Sequence, residues 1–161
     1  MKKNILYFLF AFVAFASCNQ QKALDYNNKL VGKENSLLPE ITKARTDLEQ
    51  YTGSGKFDSV AAIAGRMENR IDAVLQDVSK ISAPDIPEAE NFKNAYIHYY
   101  QYFKSFYVAY KDYGSAPEAS RQAAANKLNE VQSKASQVIS DFQSTQKKFA
   151  AANHMKIQPG S

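Results

Sequence analysis

Apolar residues recur every three or four positions through most of this chain, and no stretch sustains strict apolar–polar alternation. That period marks amphipathic helices with one buried face. The first predicted helix covers about Leu24 to Tyr51, with Leu24, Val31, Leu38, Ile41 and Leu48 on one side. Pro39 lies inside it. A proline removes one main-chain hydrogen bond and its ring crowds the preceding turn, so a kink or break is expected near Ser36 to Pro39. Thr52-Gly53-Ser54-Gly55 then ends the segment.

A second helix is predicted over about Phe57 to Ser82, with Val60, Ile63, Met67, Ile71, Val74, Val78 and Ile81 in its stripe. Ala83-Pro84-Asp85-Ile86-Pro87 breaks it, and Asp85 with Glu88 reads as a capping box for the next helix. The third, about Glu88 to Tyr113, carries Phe92, Tyr96, Tyr99, Phe103, Phe106, Tyr110 and Tyr113 at the same spacing, and Gly114 ends it. A fourth, about Pro117 to Asn153, places Leu128, Val131, Ala135, Val138, Phe142 and Phe149 on one face. Short connections between long helices favour antiparallel neighbours. The pattern therefore predicts an all-α, antiparallel up-down four-helix bundle over residues 24–155, followed by a frayed tail over 156–161.

The start of the chain follows a different rule. Lys2 and Lys3 precede an unbroken apolar run of twelve residues, Ile5 to Ala16, which Ser17 and Cys18 close. A basic region, an apolar core and a small-residue end make a secretory signal. Twelve residues rise roughly 18 Å as a helix, short of a ~30 Å hydrocarbon core, so the run is a poor membrane span. Cys18 is the sole cysteine of the chain. Its position directly after the small pair looks like a lipobox, in which the thiol is diacylated. Residues 1–17 are thus expected to be a cleaved lipoprotein signal peptide, and residues 18–23 a lipidated tether. More than one acyl chain, each contributing roughly 0.8 kcal/mol per buried CH2, anchors a protein stably to a membrane.

Removing 17 residues from 161 leaves 144, one domain with enough chain for a core. Lys2 and Lys3 leave with the leader, so 20 basic groups become 18 against 16 acidic. The longest basic run is the pair Lys147-Lys148. A nucleic-acid binder needs a basic stripe, and no such stripe is present.

Seven of the ten tyrosines fall on the third predicted helix: Tyr96, Tyr99, Tyr100, Tyr102, Tyr107, Tyr110 and Tyr113. With Phe92, Phe103 and Phe106 they span an arc of roughly 160° at 100° per residue, wider than the ~100° a buried stripe needs. Tyr100 and Tyr107 flank the arc beside a row of Lys93, Lys104 and Lys111. Packing accounts for the centre of the arc, since rings fill wide gaps between helices. The flank is a candidate partner surface of Tyr100, Lys104, Tyr107 and Lys111, because tyrosine is enriched at interface hot spots. A further reading puts a small apolar or glycan ligand in a core pocket lined by Tyr96, Tyr99, Phe103 and Phe106.

Catalytic and metal chemistry finds no footing. The residues three before His98 and His154 are alanines, so no Glu-x-x-His pair exists, and there is no Cys-x-x-Cys-His haem site. Met67 or Met155 with His98 would be a chance pairing for haem. Nucleophile elbows and Gly-rich phosphate loops are absent from a chain with six glycines. Catalytic residues, metal ligands and cofactors are all expected to be none.

Cys18-Asn19, then Tyr26-Asn27, and Gln146 to Met155 (QKKFAAANHM) resemble the small, uncharacterised helical surface lipoproteins of Bacteroidota and Leptospira. The resemblance implies a helical bundle tethered to the outer membrane and no enzymatic residues. Surface-exported members of such groups tend to be acidic after the cysteine. Asn19-Gln20-Gln21-Lys22 instead favours the periplasmic side. The expected function is non-enzymatic: a lipid-anchored envelope protein that binds a protein partner or serves a structural role.

Overall fold

In α2 (Phe57–Lys80) the predicted stripe closes almost residue for residue, with Val60, Ile63, Ala64, Met67, Ile71, Val74 and Val78 buried. Its main neighbour is α3 (Ala89–Ser115), which buries Phe92, Tyr96, Tyr99, Tyr100, Phe103 and Tyr107. The polar links between them fix the direction. Lys111 pairs with Glu68, Lys104 with Asp72 at 2.7 Å, and the Lys93 ammonium donates to the Ser79 carbonyl at 3.0 Å. Partner numbers fall as α3 numbers rise, so the two helices run antiparallel.

Gly114 was expected to end α3. The helix runs on to Ser115, and the glycine serves a different purpose. It is buried against the first turn of α2, where an added Cβ would come within 2.5 Å of the Ala61 nitrogen and 2.7 Å of the Phe57 carbonyl. The predicted Asp85–Glu88 capping box does not form either. Glu88 itself caps α3 from a left-handed backbone conformation, φ 61° and ψ 6°, without a side-chain cap.

The computed structural model describes residues 12–13 and 18–157. The predicted signal run, apart from Phe12 and Val13, and residues 158–161 of the predicted tail lie outside the described residues. Among the described residues the chain is all-helical but for one two-residue pairing, Phe12–Val13 (β1) antiparallel to Lys156–Ile157 (β2). No described helix is long and apolar enough to cross a membrane.

α1 (Cys18–Gly53) departs from expectation in three ways. It starts at Cys18, so residues 19–22 are helical turns rather than a loose tether. The Gln20 amide donates to the His154 carbonyl at 2.7 Å, and Ala23 is buried. The helix also continues through Pro39. Leu37 and Ile41 are buried on either side, while Lys33–Asp77 (2.6 Å) and Arg70–Glu40 (2.8 Å) bridge to α2 around the proline. Packing on both flanks outweighs the lost hydrogen bond. Lastly, Ile41 and Leu48 are buried as predicted, but the rest of the stripe is Ala23, Tyr26, Leu30, Leu37 and Ala44, with Ala23, Leu30 and Leu37 one position before the predicted Leu24, Val31 and Leu38. Leu24 and Val31 are only half-buried.

The predicted fourth helix is two segments, α4 (Glu118–Ser133) and α5 (Ala135–Ala152). At the junction the Ser133 hydroxyl donates to the Glu130 carbonyl at 2.7 Å, and the Lys134 amide reaches Val131 at 3.1 Å. A serine hydroxyl competing for main-chain acceptors and a bond to the third residue back both tighten the turn there. α4 buries only Leu128, whereas α5 buries Phe142, Gln146, Phe149 and Ala150. Rings bind α5 to the rest: Phe92 and Phe149 stack at 4.4 Å, Tyr96 meets Phe142 edge-on at 4.8 Å, and Tyr26 meets Phe149 at 6.1 Å.

Candidate functional site

α3 remains the helix on which candidate chemistry concentrates, but it does not present the predicted partner surface. Tyr100 and Tyr107 are each 2% exposed, packed in the core with Tyr96. The 3.6-residue turn puts them at the flank of the arc, and that flank faces into the bundle. Lys104 and Lys111 do reach solvent, but they are held by Asp72 and Glu68 of α2. The bond to Glu68 raises the affinity of Lys111 for its proton. The lysine row is therefore part of the α2–α3 seam. The four predicted residues do not form a common open face.

The rings predicted to line a core pocket instead fill it with one another. Tyr99 and Phe103 meet at 4.9 Å, and Phe106 lies 5.4 Å from Tyr107. Tyr96 is fully buried.

A polar group absent from the sequence reading lies half-buried at the edge of this core. Glu34 falls between Leu30 and Leu37 in the buried stripe of α1, at a register position where an apolar residue would be ordinary. Burial raises its pKa from 4.5 to about 7, with the Tyr96 hydroxyl pulling modestly the other way. The Tyr96 and Tyr100 hydroxyls are buried and close no hydrogen bond of ordinary geometry. Burial first, and the nearby Glu34 charge second, push both phenols well above their usual range. The Asn27 and Gln146 side-chain oxygens are likewise buried without a partner. The α1–α3 packing thus holds a half-buried carboxyl whose pKa is raised to about 7, and several buried side chains short of hydrogen-bond partners.

Open grooves flank α3 among the described residues. One, of about 440 Å³, lies between α3 and α4 over Val108, Ala109 and Val131, with Lys104 and Lys127 at its edges. Another, of about 530 Å³, lies between α3 and α5. Short side chains on α3 create it. Asn91, Asn94 and Ala95 stand beside the large rings that hold α5 away, so the flank is left unfilled. Its floor is Tyr99 stacked on Phe142 at 4.7 Å and 21°. At its mouth, the strained Glu88 is steadied by Asn91, whose amide donates to the carboxylate at 2.9 Å.

No family model, curated protein or solved structure matches this chain. The site is accordingly read from its own geometry. His98 is exposed and lines the α3–α5 groove. His154 is exposed at the end of α5, with a positive φ of 54°. The groove was legible in part. Asn91, Asn94 and His98 recur at helical spacing on α3, and Asp141, Thr145 and Lys148 on α5, but only the fold shows that the two rows face each other.

Proposed function

We propose that this chain is a lipid-anchored envelope protein, held by Cys18 and acting as a binding or structural module without catalysis. The observation that carries this reading is the apolar run that ends at Cys18, the residue at which the helical body begins. In this reading residues 1–17 are removed, Cys18 carries acyl chains, and the body is an antiparallel up-down bundle on the periplasmic side of the outer membrane. Its likeness in layout to the small helical lipoproteins of Bacteroidota and Leptospira agrees with that address. The helical start of the body supports close seating on the membrane. Gln20 and Ala23 are tied into the bundle within two turns of Cys18, which leaves little slack.

The partner is an envelope component, and nucleic acid is not among the candidates. The burial of Tyr100 and Tyr107 moves the binding surface away from the tyrosine flank. A second reading, a carrier or sensor of a small ligand, is favoured by the open α3–α5 groove rather than by the ring-filled core.

Expression of the full chain and of Cys18→Ala in a Gram-negative host, with fatty-acid labelling and fractionation, tests the anchor. The parent should take up label and sediment with membranes. The variant should lose the label and appear as soluble or unprocessed protein. Equal labelling of both would refute the reading.

A further inference from the structure

Unpartnered oxygens gather in the core where α1, α3 and α5 meet. Tyr96, Tyr100 and Gln146 are each at most 3% exposed, and each keeps a side-chain oxygen without a hydrogen-bond partner. Such an oxygen costs free energy until something pairs with it. Neighbouring contacts place the three together. Tyr96 and Tyr100 lie one turn apart on α3, ring centroids 6.1 Å apart, and both sense the Glu34 charge of α1. Phe142, one turn before Gln146 on α5, meets Tyr96 at 4.8 Å. Phe149, one turn after Gln146, stacks on Phe92, one turn before Tyr96. Gln146 is therefore level with Tyr96. Asn27 also keeps a buried oxygen unpaired, but it stands seven residues from Glu34, roughly 10 Å along α1, and outside this group.

The surroundings define the missing partner. Glu34 enters no ion pair among the described residues, and its neighbour Lys33 is held by Asp77 at 2.6 Å. The group is one carboxylate and three neutral oxygens, with no positive charge among them. Oxygen donors without imidazole or thiolate suit a hard cation. A divalent ion would call for more carboxylates, and no metal-holding group of three acidic, histidine or cysteine side chains occurs among the described residues. A single negative charge balances a monovalent ion. Water alone would pair with the oxygens and leave the carboxylate uncompensated. Glu34 is half-buried, which gives an ion a way in from solvent. We infer that the junction of α1, α3 and α5 is a binding site for a monovalent alkali cation, with Glu34 supplying the charge and Tyr96, Tyr100 and Gln146 the remaining oxygen ligands. The site lies in the bundle core and does not depend on the anchor at Cys18.

The test is thermal unfolding of the full-length protein in a non-ionic detergent, with choline, sodium or potassium chloride at equal concentration. It is run at pH 8, because without an ion the carboxyl keeps its proton up to about pH 7. Choline, a bulky quaternary ammonium, controls for ionic strength. Sodium or potassium at about ten times its Kd should raise the melting temperature by about 4 °C over choline, and the larger shift names the preferred ion. Glu34→Gln, which keeps the shape and removes the charge, should abolish the difference. Tyr100→Phe, which removes one ligand and keeps the ring, should at least halve it. Asp141→Asn removes an exposed carboxylate elsewhere and should leave it intact. Equal melting in the three salts up to about 0.3 M would overturn the site. So would an alkali-ion effect that Glu34→Gln or Tyr100→Phe retains in full, or one that Asp141→Asn abolishes.

Discussion

The half-buried Glu34 carboxyl of α1 lies against the buried Tyr96 hydroxyl of α3, and the pair closes no hydrogen bond of ordinary geometry. A leucine at this register position would continue the stripe of Leu30 and Leu37. The carboxyl instead makes stability depend on pH. Its folded pKa, about 7, lies above its ordinary 4.5. Below pH 4.5 the acid is protonated in both states and costs nothing. As pH rises to 7 the unfolded chain ionises first, so this contribution to stability is progressively lost, by about 3 kcal/mol in all. Asp77, whose pKa is lowered from 3.8 by Lys33, contributes with the opposite sign at more acidic pH, where its stabilisation is lost as pH falls. The difference between Glu34→Gln and the parent isolates the effect. Urea unfolding from pH 4.5 to 8 should show that difference moving in favour of the variant by about 3 kcal/mol. A constant difference would contradict the buried carboxyl.

The tyrosine flank gives a second test. Tyr107→Ala should destabilise as much as Phe103→Ala, about 3–5 kcal/mol each, the range for large buried rings. Tyr100→Phe should be neutral or stabilising, within about 1 kcal/mol, because it removes a buried hydroxyl without a partner, whereas Tyr96→Phe, which takes a hydroxyl away from Glu34, should cost more than Tyr100→Phe. Chemical denaturation of the four variants checks both statements.

Glycine substitutions separate contact from propensity. Gly114→Ala drives a methyl into the Ala61 and Phe57 main chain and should cost about 3 kcal/mol, the upper end for overpacking, because backbone atoms yield little. Gly32 is exposed in α1 with nothing within 4 Å of an added Cβ. Gly32→Ala should stabilise by about 0.5–1 kcal/mol. Melting curves of the two variants should move in opposite directions.

What could be read in advance divides along physical lines. The stripe of α2 was plain because its apolar residues are unambiguous in period and uninterrupted from Val60 to Val78. The stripe of α1 holds at Ile41 and Leu48 but shifts by one step before Pro39, where the core takes Ala23 and Tyr26 and leaves Leu24 and Val31 at its edge. That misplacement hid Glu34. The flanking tyrosines were read as exposed because helical angle alone does not say how far neighbouring helices wrap a wide arc. The break at Lys134, where the main-chain amide bonds back to the Val131 carbonyl, is a local tightening of one turn that leaves no mark on the hydrophobic period. The groove needed the third dimension, since Asn94 and Asp141 are 47 positions apart in sequence.

Anchoring at Cys18 is the claim on which the proposed function stands, and intact mass spectrometry of the protein purified from membranes addresses it most directly. The expected species lacks residues 1–17 and is heavier than residues 18–161 by the mass of a glyceride and its acyl chains, with the addition located on the N-terminal peptide at Cys18. A species of the full 18.0 kDa, or one cut cleanly to an unmodified cysteine, would contradict it.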